Sequence, residues 1–292
     1  MFDFRYHLAS LVAVVVTLGI GLLLGAALGS RTLDPAKLTQ TVAALNKRFD
    51  DLQAANQQLR QDAAHDHDFS EYAVAALTKG SLTGRTVAIL VNDGRSDGLA
   101  AVTAAVKDAG GKVAVVHMAQ EGFGLATDPG LTAKLAAAVG SPADTASVDT
   151  TQLAMTVGRR LAVEWTGSGV ASGTVSEILT RAGRLSLSDA SAGSEITDVV
   201  LLASWAGSAD PSLVELARQA AASGLPGVGA EATSAHSGVI DPASAAGLST
   251  VDDVDTPSGV YALVEVLAGR AKGRFGTGPG SQRAFPQPAA SQ

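Results

Sequence analysis

The densest group of side chains capable of chemistry is a run of three aspartates, Asp252, Asp253 and Asp255. The run precedes an apolar stretch with helical spacing, so Asp255 or Thr256 is placed to cap a helix and Pro257 to enter its first turn. Carboxylates at the positive end of a helix can also receive a cation or an arginine of a partner protein. Capping is the interpretation that the sequence favours, and cation or arginine binding is the alternative.

Potential metal ligands elsewhere are scattered along the chain. His65 and His67 alternate with two aspartates at the end of a helical stretch, where such a run is typical of a solvated face and only alternatively of a cation site. His117 and Met118 adjoin in a predicted strand, so their side chains point to opposite faces and cannot chelate one ion together. Cysteine is absent, which excludes disulfides and thiolate sites. The sequence therefore predicts no cofactor and leaves any metal ligands unknown.

Catalytic patterns are weaker still. Ser234, His236 and Asp241 lie close in sequence, but a catalytic triad is assembled in space, and no nucleophile elbow marks a serine. The predicted turn at 92–98 lacks both the glycine spacing of a dinucleotide site and the lysine of a phosphate loop. We therefore predict a protein that is not an enzyme. The net charge of −7, without a basic cluster, also argues against nucleic acid as a partner.

The elements that position these residues begin with an uncharged apolar run over residues 8–29, preceded by an N-terminal tail over 1–7. At 1.5 Å per residue the run spans roughly 33 Å, which is enough for a hydrocarbon core of about 30 Å. We predict one transmembrane helix acting as an uncleaved signal anchor, with a cleavable signal peptide as the alternative. Basic residues are more numerous after the run than before it, which does not favour an external body. The short leading tail nevertheless favours a single-pass protein of the cell membrane with an extracytoplasmic body.

Two features predict that the chain pairs with a second copy. Within the span, Gly21, Gly25 and Gly29 recur at every fourth position, a spacing that lets two membrane helices approach closely. After the span, residues 38–63 follow a heptad pattern that predicts a coiled coil. Its seam consists of Leu38, Val42, Leu45, Phe49, Leu52, Asn56 and Leu59. A lone asparagine at an a position favours a parallel homodimer, and a monomeric helix packed on its own domain is the alternative.

The rest of the chain predicts one α/β domain over residues 82–272 and a flexible tail over 273–292. Continuous apolar runs such as 87–91 and 199–203 are typical of strands buried on both faces of a parallel sheet, so we predict a three-layer α/β domain with a mainly parallel sheet. The predicted strands are 86–91, 112–118, 198–203 and 227–229. The predicted helices are 99–109, 131–139, 152–165, 175–182, 211–223 and 258–269.

Several motifs together resemble the actinobacterial copper transport outer membrane protein family. They are Arg-Tyr-His at 5–7, the coiled coil that directly follows the span, the aspartate motif Ser-Thr-Val-Asp-Asp-Val-Asp at 249–255, and the tail motif Gly-Arg-Phe-Gly-Thr-Gly at 273–278. The resemblance covers nearly the whole chain, although Phe275 stands where the family has tyrosine. It implies a cell-envelope protein of copper efflux, with the copper ion as a partner.

The chain is also similar to envelope coiled-coil proteins implicated in the separation of mycolate-containing bacteria. That similarity implies a scaffold that binds an envelope protein partner. Copper sites use Cys, Met or His, and here Met118 and Met155 are the only internal methionines. We therefore carry two hypotheses, a membrane-anchored protein of copper efflux and a non-enzymatic coiled-coil scaffold that controls cell separation.

Overall fold

The computed structural model of this protein describes residues 14–23, 25, 35–93, 97–141, 149–202, 204–205, 207–234 and 238–287. The chain divides into two units, Met1–Asp66 and His67–Gln292. Residues 14–23 and 25 are helical, and the remainder of the predicted span 8–29, including Gly29, lies outside the described residues. Among the residues that are described, no helix combines the length and the apolar content needed to cross a membrane.

The first long element is helix α1, Pro35–Thr78, whose 44 residues extend the predicted coil 38–63 at its C-terminal end. A proline at the first position suits a helix start because its missing N–H is not needed there. The large apolar seam residues from Val42 to Leu59 have between 50% and 70% of their surface exposed. An amphipathic helix gains most of its stability by burying such a face. Pairing through this seam stays a prediction.

The body is an α/β fold. Its strands are β1 Thr86–Asn92, β2 Lys112–Met118, β3 Leu185–Ser188, β4 Asp198–Leu201, β5 Ser204–Trp205, β6 Ser208–Ala209, β7 Gly227–Ala230, β8 Ser249–Val251 and β9 Arg274–Phe275. Its helices are α2 Leu99–Asp108, α3 Pro129–Ala138, α4 Thr150–Ser168, α5 Thr174–Arg181, α6 Pro211–Ala222, α7 Ile240–Ala245 and α8 Pro257–Leu267. In the described part of the body, one seven-stranded sheet has the order β3-β2-β1-β4-β7-β8-β9, and only β3 runs antiparallel to its neighbour.

The sheet separates two hydrophobic cores. Along β1, Ala88 and Leu90 enter one core, which also takes residues of α3, α4, α5 and α6. Val87, Ile89 and Val91 enter the other, together with residues of α2 and α8. Alternate residues of a strand point to opposite faces, so a continuous apolar strand fits a sheet covered on both sides. The predicted α/β class and the mainly parallel sheet are confirmed.

The structure differs from the sequence-based expectation at the short strands. Strand β8 lies inside the aspartate motif, which the sequence assigned to a helix cap, and Thr250 within it is buried. Strand β9 lies at the start of the expected flexible tail, pairs with β8 and buries Phe275. A strand of two or three residues is too short to show an alternating or continuous apolar pattern, so the sequence does not predict it. Such a strand forms because a neighbouring strand supplies its hydrogen bonds.

Candidate functional site

The carboxyl ends of the parallel strands β7 and β8 meet at one edge of the sheet, where a cavity of about 420 Å³ opens. Such edges are where α/β folds commonly place ligands. Residues that follow β7 and β8 line the cavity, and the tail motif contributes Thr277 and Gly278. Its charged lining residues are Glu231, Asp241 and Asp252. We refer to it as the edge cavity.

Asp252 ties the aspartate motif to the tail motif. Its carboxylate accepts hydrogen bonds from the backbone N–H of Thr277 at 2.8 Å and of Gly278 at 3.1 Å, and from the hydroxyl of Ser281. Hydrogen bonds from backbone donors to an ionised carboxylate are stronger than neutral ones. Since the donors lie 25 to 29 positions later in the chain, Asp252 holds the tail against the sheet edge. We call this arrangement the tail clasp.

The glycines of the tail motif are required by the clasp. A Cβ on Gly276 would lie 1.8 Å from Asp252 Oδ1, and one on Gly278 would lie 2.7 Å from Asp252 Oδ2. Gly276 also has φ +126°, a conformation that residues with a side chain rarely adopt. The close approach of backbone and carboxylate therefore explains why glycine occupies both positions.

Asp253 points the other way, into the interior beside α8. Its side chain is fully buried, Oδ2 lies 3.5 Å from Ser258 Oγ, and Oδ1 accepts no hydrogen bond from the described residues. Burial, which penalises the charged carboxylate, and the nearby charges of Asp252 and Asp255 together raise the pKa of Asp253 from 3.8 to about 6, while hydrogen bonds with Thr256 and Ser258 oppose the rise. Asp253 is therefore the proton-binding group of this region.

The third aspartate joins another loop. Asp255 Oδ1 accepts hydrogen bonds from the backbone N–H of Thr233 at 2.7 Å and from its hydroxyl at 2.8 Å. Thr256 is the N-cap of α8, because its hydroxyl accepts a hydrogen bond from the Gly259 N–H at 3.1 Å, and Pro257 follows in the first turn. Of the two caps that the sequence allowed, Thr256 is the correct one.

The three aspartates therefore do not converge on one ligand. Asp252 holds the tail, Asp253 is buried beside α8, and Asp255 holds the loop after β7. No group of three potential metal ligands occurs within the described ranges. The structure supports loop attachment for Asp252 and Asp255, and the cap of α8 is Thr256.

The remaining acidic residues of the edge cavity also have partners. Glu231 Oε1 accepts hydrogen bonds from the backbone N–H groups of Val239 and Ile240, which open the short helix α7. Asp241 lies 2.8 Å from the guanidinium of Arg274 in β9. These contacts connect the loop after β7 with the start of α7, and α7 with the edge strand β9. Glu231 was not recognised from the sequence, because its partners follow it by eight and nine positions.

A second cavity, of about 580 Å³, lies beside an irregular turn after β2. In this turn, Glu121–Thr127, the consecutive residues Gly122, Phe123 and Gly124 have φ values of 54°, 59° and 72°. Phe123 is buried there in a left-handed conformation that is unfavourable for a side chain by about 1–2 kcal/mol. Asp210 fixes the turn, since it accepts a hydrogen bond from the Gly122 N–H at 2.7 Å while it caps α6. The sequence signal for Asp210 is the Asp-Pro-Ser start of that helix.

A buried ion pair at the amino edge of the sheet also escaped the sequence analysis. Asp198 begins β4, is fully buried and lies 2.9 Å from the guanidinium of Arg85, just before β1. Burial raises the pKa of Asp198, while hydrogen bonds from Thr197 and Arg85 oppose the rise. This pair attaches the start of β4 to the start of β1 and is a structural feature.

The histidines and the methionine that the sequence offered as possible ligands do not form a common site within the described residues. His65 and His67 are exposed on α1, and His67 lies 3.3 Å from Glu71 one turn later. His117 contacts Ser188 and Asp93, whereas Met118 enters the opposite core, as predicted. His236 and the turn residues 94–96 lie outside the described residues.

The two described glycines of the predicted membrane contact, Gly21 and Gly25, are both helical. A Cβ added to either of them would meet no other atom within 4 Å. Their surface is thus open on this chain, and the helix contact that their spacing indicates stays a prediction.

Comparison with known proteins identifies the family. A family model described as copper transport outer membrane protein, MctB, matches residues 1–286. Searches of curated proteins and of solved structures gave no match. The matched region includes the apolar run, helix α1, the aspartate motif and the tail motif that form the clasp. The chain therefore belongs to the copper transport outer membrane protein family.

Proposed function

We propose that this chain is a membrane-anchored, non-enzymatic protein of the cell envelope that takes part in copper efflux by binding a protein partner. The observation that carries the proposal is the family match, which extends over residues 1–286 and so includes the apolar run, the long helix and the body together. Membership supports a role related to copper transport in the envelope. The proposal also specifies how the chain is anchored in the membrane, on which side of it the body lies, and how two copies pair.

Anchoring is assigned to residues 8–29, with the body outside the cytoplasm. The apolar run and the short leading tail support this orientation. Fusions after Gly84 test it, since alkaline phosphatase is active only outside the cytoplasm. We expect an active phosphatase and an inactive cytoplasmic reporter at this position. The reverse pattern would place the body inside and refute the assigned topology.

Pairing is assigned to the seam of α1, in a parallel homodimer that the glycines of the span reinforce. The exposure of Val42, Leu45, Phe49 and Leu52 supports it, because these side chains gain from burial only against another surface. Two anchors in one membrane also favour helices that run in the same direction. Single cysteines introduced at position 45 test the alignment. Only a parallel pair brings the two copies of this position within disulfide distance.

A binding role for the body is supported by the hydrogen bonds that the carboxylates of the edge cavity accept. Asp252, Glu231 and Asp241 each accept hydrogen bonds from backbone N–H groups or an arginine, so their lone pairs serve loop attachment. A general base needs a lone pair directed at the substrate. The edge cavity is thus better suited to support a loop that contacts a partner than to perform acid–base chemistry.

The deciding experiment measures cellular copper in a strain that lacks this protein. We expect the deletion strain to accumulate copper and to become copper-sensitive, and the full chain to restore both properties. A chain with Leu45→Asp and Leu52→Asp serves as the variant that lacks the seam and should restore neither. Normal copper content and tolerance in the deletion strain would refute the role in efflux.

A second candidate function is a scaffold that binds a partner controlling cell separation. The long helix favours it, because its exposed apolar residues present a protein-binding surface. The same deletion strain distinguishes the two functions. Chains of unseparated cells with normal copper content would favour the scaffold, whereas copper accumulation with normal septation would favour efflux.

A further inference from the structure

The last turns of α1 have one covered face and one open face. Ser70, Ala73 and Val74 are partly buried and Thr78 is fully buried, so this face of the helix is covered. Phe69 and Tyr72, by contrast, are 71% and 76% exposed. Burial of an aromatic side chain is favourable, so two exposed rings one helical turn apart form a surface that gains from being covered.

The two rings belong to one contiguous patch. Tyr72 follows Phe69 by three positions and precedes Ala76 by four, which places all three on one face of the helix. Ala75 and Ala76 are exposed as well, and their small side chains leave room above the rings. We call Phe69, Tyr72, Ala75 and Ala76 the aromatic patch.

Acidic side chains border the aromatic patch. Asp68 lies one helical turn before Tyr72, and Glu71 lies one helical turn before Ala75. Both are exposed, and the sequence from Gln61 to Thr78 contains no lysine or arginine. His67 Nε2 lies 3.3 Å from Glu71 Oε1. The border of the patch is therefore negative on the side of Asp68 and Glu71, whereas Lys79 follows directly after the C-terminal end of the helix.

We propose that the aromatic patch docks a protein partner through an amphipathic segment that carries aliphatic side chains and lysine or arginine. The inference rests on the proposed function, because it names the surface through which that function recruits a partner. Aliphatic groups would cover the rings of Phe69 and Tyr72, and cations would meet Asp68 and Glu71. Aromatic anchors with a charged border are common at the centre of protein interfaces.

Charge also argues against the two other occupants. A second copy bound in parallel through the same patch would place Asp68 and Glu71 next to their own counterparts. Like charges that face each other across an interface disfavour binding. A membrane surface rich in anionic lipid would repel the same carboxylates. An amphipathic basic segment of a protein can both cover the rings of Phe69 and Tyr72 and pair with the carboxylates of Asp68 and Glu71.

A binding measurement with a defined peptide tests the chemistry. The probe is a fluorescent helical peptide of leucine and lysine, and its control is the same peptide with glutamate in place of lysine. We expect the full-length protein in detergent to bind the lysine peptide and not the glutamate peptide. Phe69→Ala with Tyr72→Ala should weaken binding about tenfold. Asp68→Asn with Glu71→Gln should weaken it several-fold and reduce its dependence on salt.

These variants alter exposed side chains, so thermal unfolding of the body should stay unchanged and serves as the control for folding. Gln57→Ala, an exposed change elsewhere on α1, should leave binding unchanged. Equal binding of the two peptides, or unchanged binding after loss of both rings, would refute the proposal.

Crosslinking in cells identifies the occupant directly. A photoreactive amino acid at position 69 or 72 of the full chain should give an adduct with a different protein, through a segment rich in lysine or arginine. The same residue at position 57 should not give that adduct. Adducts only between two copies of this chain, or only with lipid, would overturn the proposal. Its failure differs from failure of the proposed function, because the copper content of the deletion strain does not depend on the patch.

Discussion

Helix α1 and the α/β body place the same residue types in opposite environments. Leu45 and Leu52 of α1 have most of their surface exposed, whereas Leu90 and Leu201 of the sheet are fully buried. The body therefore buries these apolar side chains within one chain, whereas α1 leaves its apolar seam exposed. The stability of the two regions should therefore respond differently to protein concentration, because the exposed seam of α1 gains from burial only against a second surface.

The largest expected effect is loss of the dimer when charge enters the seam. Leu45→Asp with Leu52→Asp would bury carboxylates at the contact between two helices, which the dimer cannot compensate. We expect the full-length protein in detergent to change from dimer to monomer by light scattering at tens of micromolar. Thermal unfolding of the body should stay the same.

Gln53→Asp with Gln57→Asp is the matched control, because these exposed positions lie outside the seam. It should keep the dimer. If the wild-type protein is itself a monomer at this concentration, pairing through α1 is wrong and the contrast between the two regions needs another explanation.

Truncating one leucine to alanine in each region tests whether the two regions are stabilised independently. Leu90→Ala removes a fully buried side chain from the sheet and should destabilise the body by about 2–5 kcal/mol at every protein concentration. Leu45→Ala should leave the urea unfolding of the body unchanged and weaken only dimerisation. A concentration-dependent effect of Leu90→Ala, or an effect of Leu45→Ala on the body, would contradict the division.

Within the body, Asp253 is the group that opposes folding at neutral pH. Its pKa rises from 3.8 to about 6 on folding, so the native state binds a proton more tightly than the unfolded state. Stability therefore increases as the pH falls from above 6 towards 4, and it decreases as the pH rises through the same window. Above pH 6 the ionised group costs roughly 2–3 kcal/mol.

Asp253→Asn, which removes the charge and keeps the shape, should stabilise the protein at pH 7.5 by this amount and have little effect at pH 4.5. Urea unfolding at the two pH values measures the difference. Asp108→Asn, at an exposed aspartate, should not reproduce it. A destabilised Asp253→Asn protein at pH 7.5 would show that the carboxylate makes a favourable contact when ionised.

The sequence predicted best where the pattern is local and repetitive. The bounds of β2 were predicted as 112–118 and are observed there, and six helices of the body were predicted within two or three residues of their ends, whereas the short helix α7 was not predicted. The alternation of Val87 and Ala88 between two cores follows from the strand period alone. The heptad pattern likewise predicts the helix α1. Pairing through that helix involves a second chain and stays a prediction.

The candidate site could not be predicted in the same way, because its contacts join distant segments. Asp252 and its partners in the tail are separated by at least 25 positions, and neither motif alone indicates the other. The aspartates looked alike in sequence, but the fold gives each a different neighbour. The left-handed turn at Gly122–Gly124 likewise depends on Asp210, which is 88 positions from Gly122. Such contacts appear only once the sheet has brought the loops to one edge.

The smallest effect that we predict concerns the tail clasp. Asp252→Asn keeps the size of the side chain but removes the charge and one acceptor, so the bonds from Thr277, Gly278 and Ser281 weaken. We expect a loss of about 1–2 kcal/mol in stability. Asp241→Asn is the control, because that exposed carboxylate pairs with Arg274 and such surface pairs contribute little. Hydrogen exchange should show faster exchange of the Thr277 and Gly278 amides in the first variant only. Unchanged protection of these amides would mean that strand β9, and not Asp252, holds the tail in place.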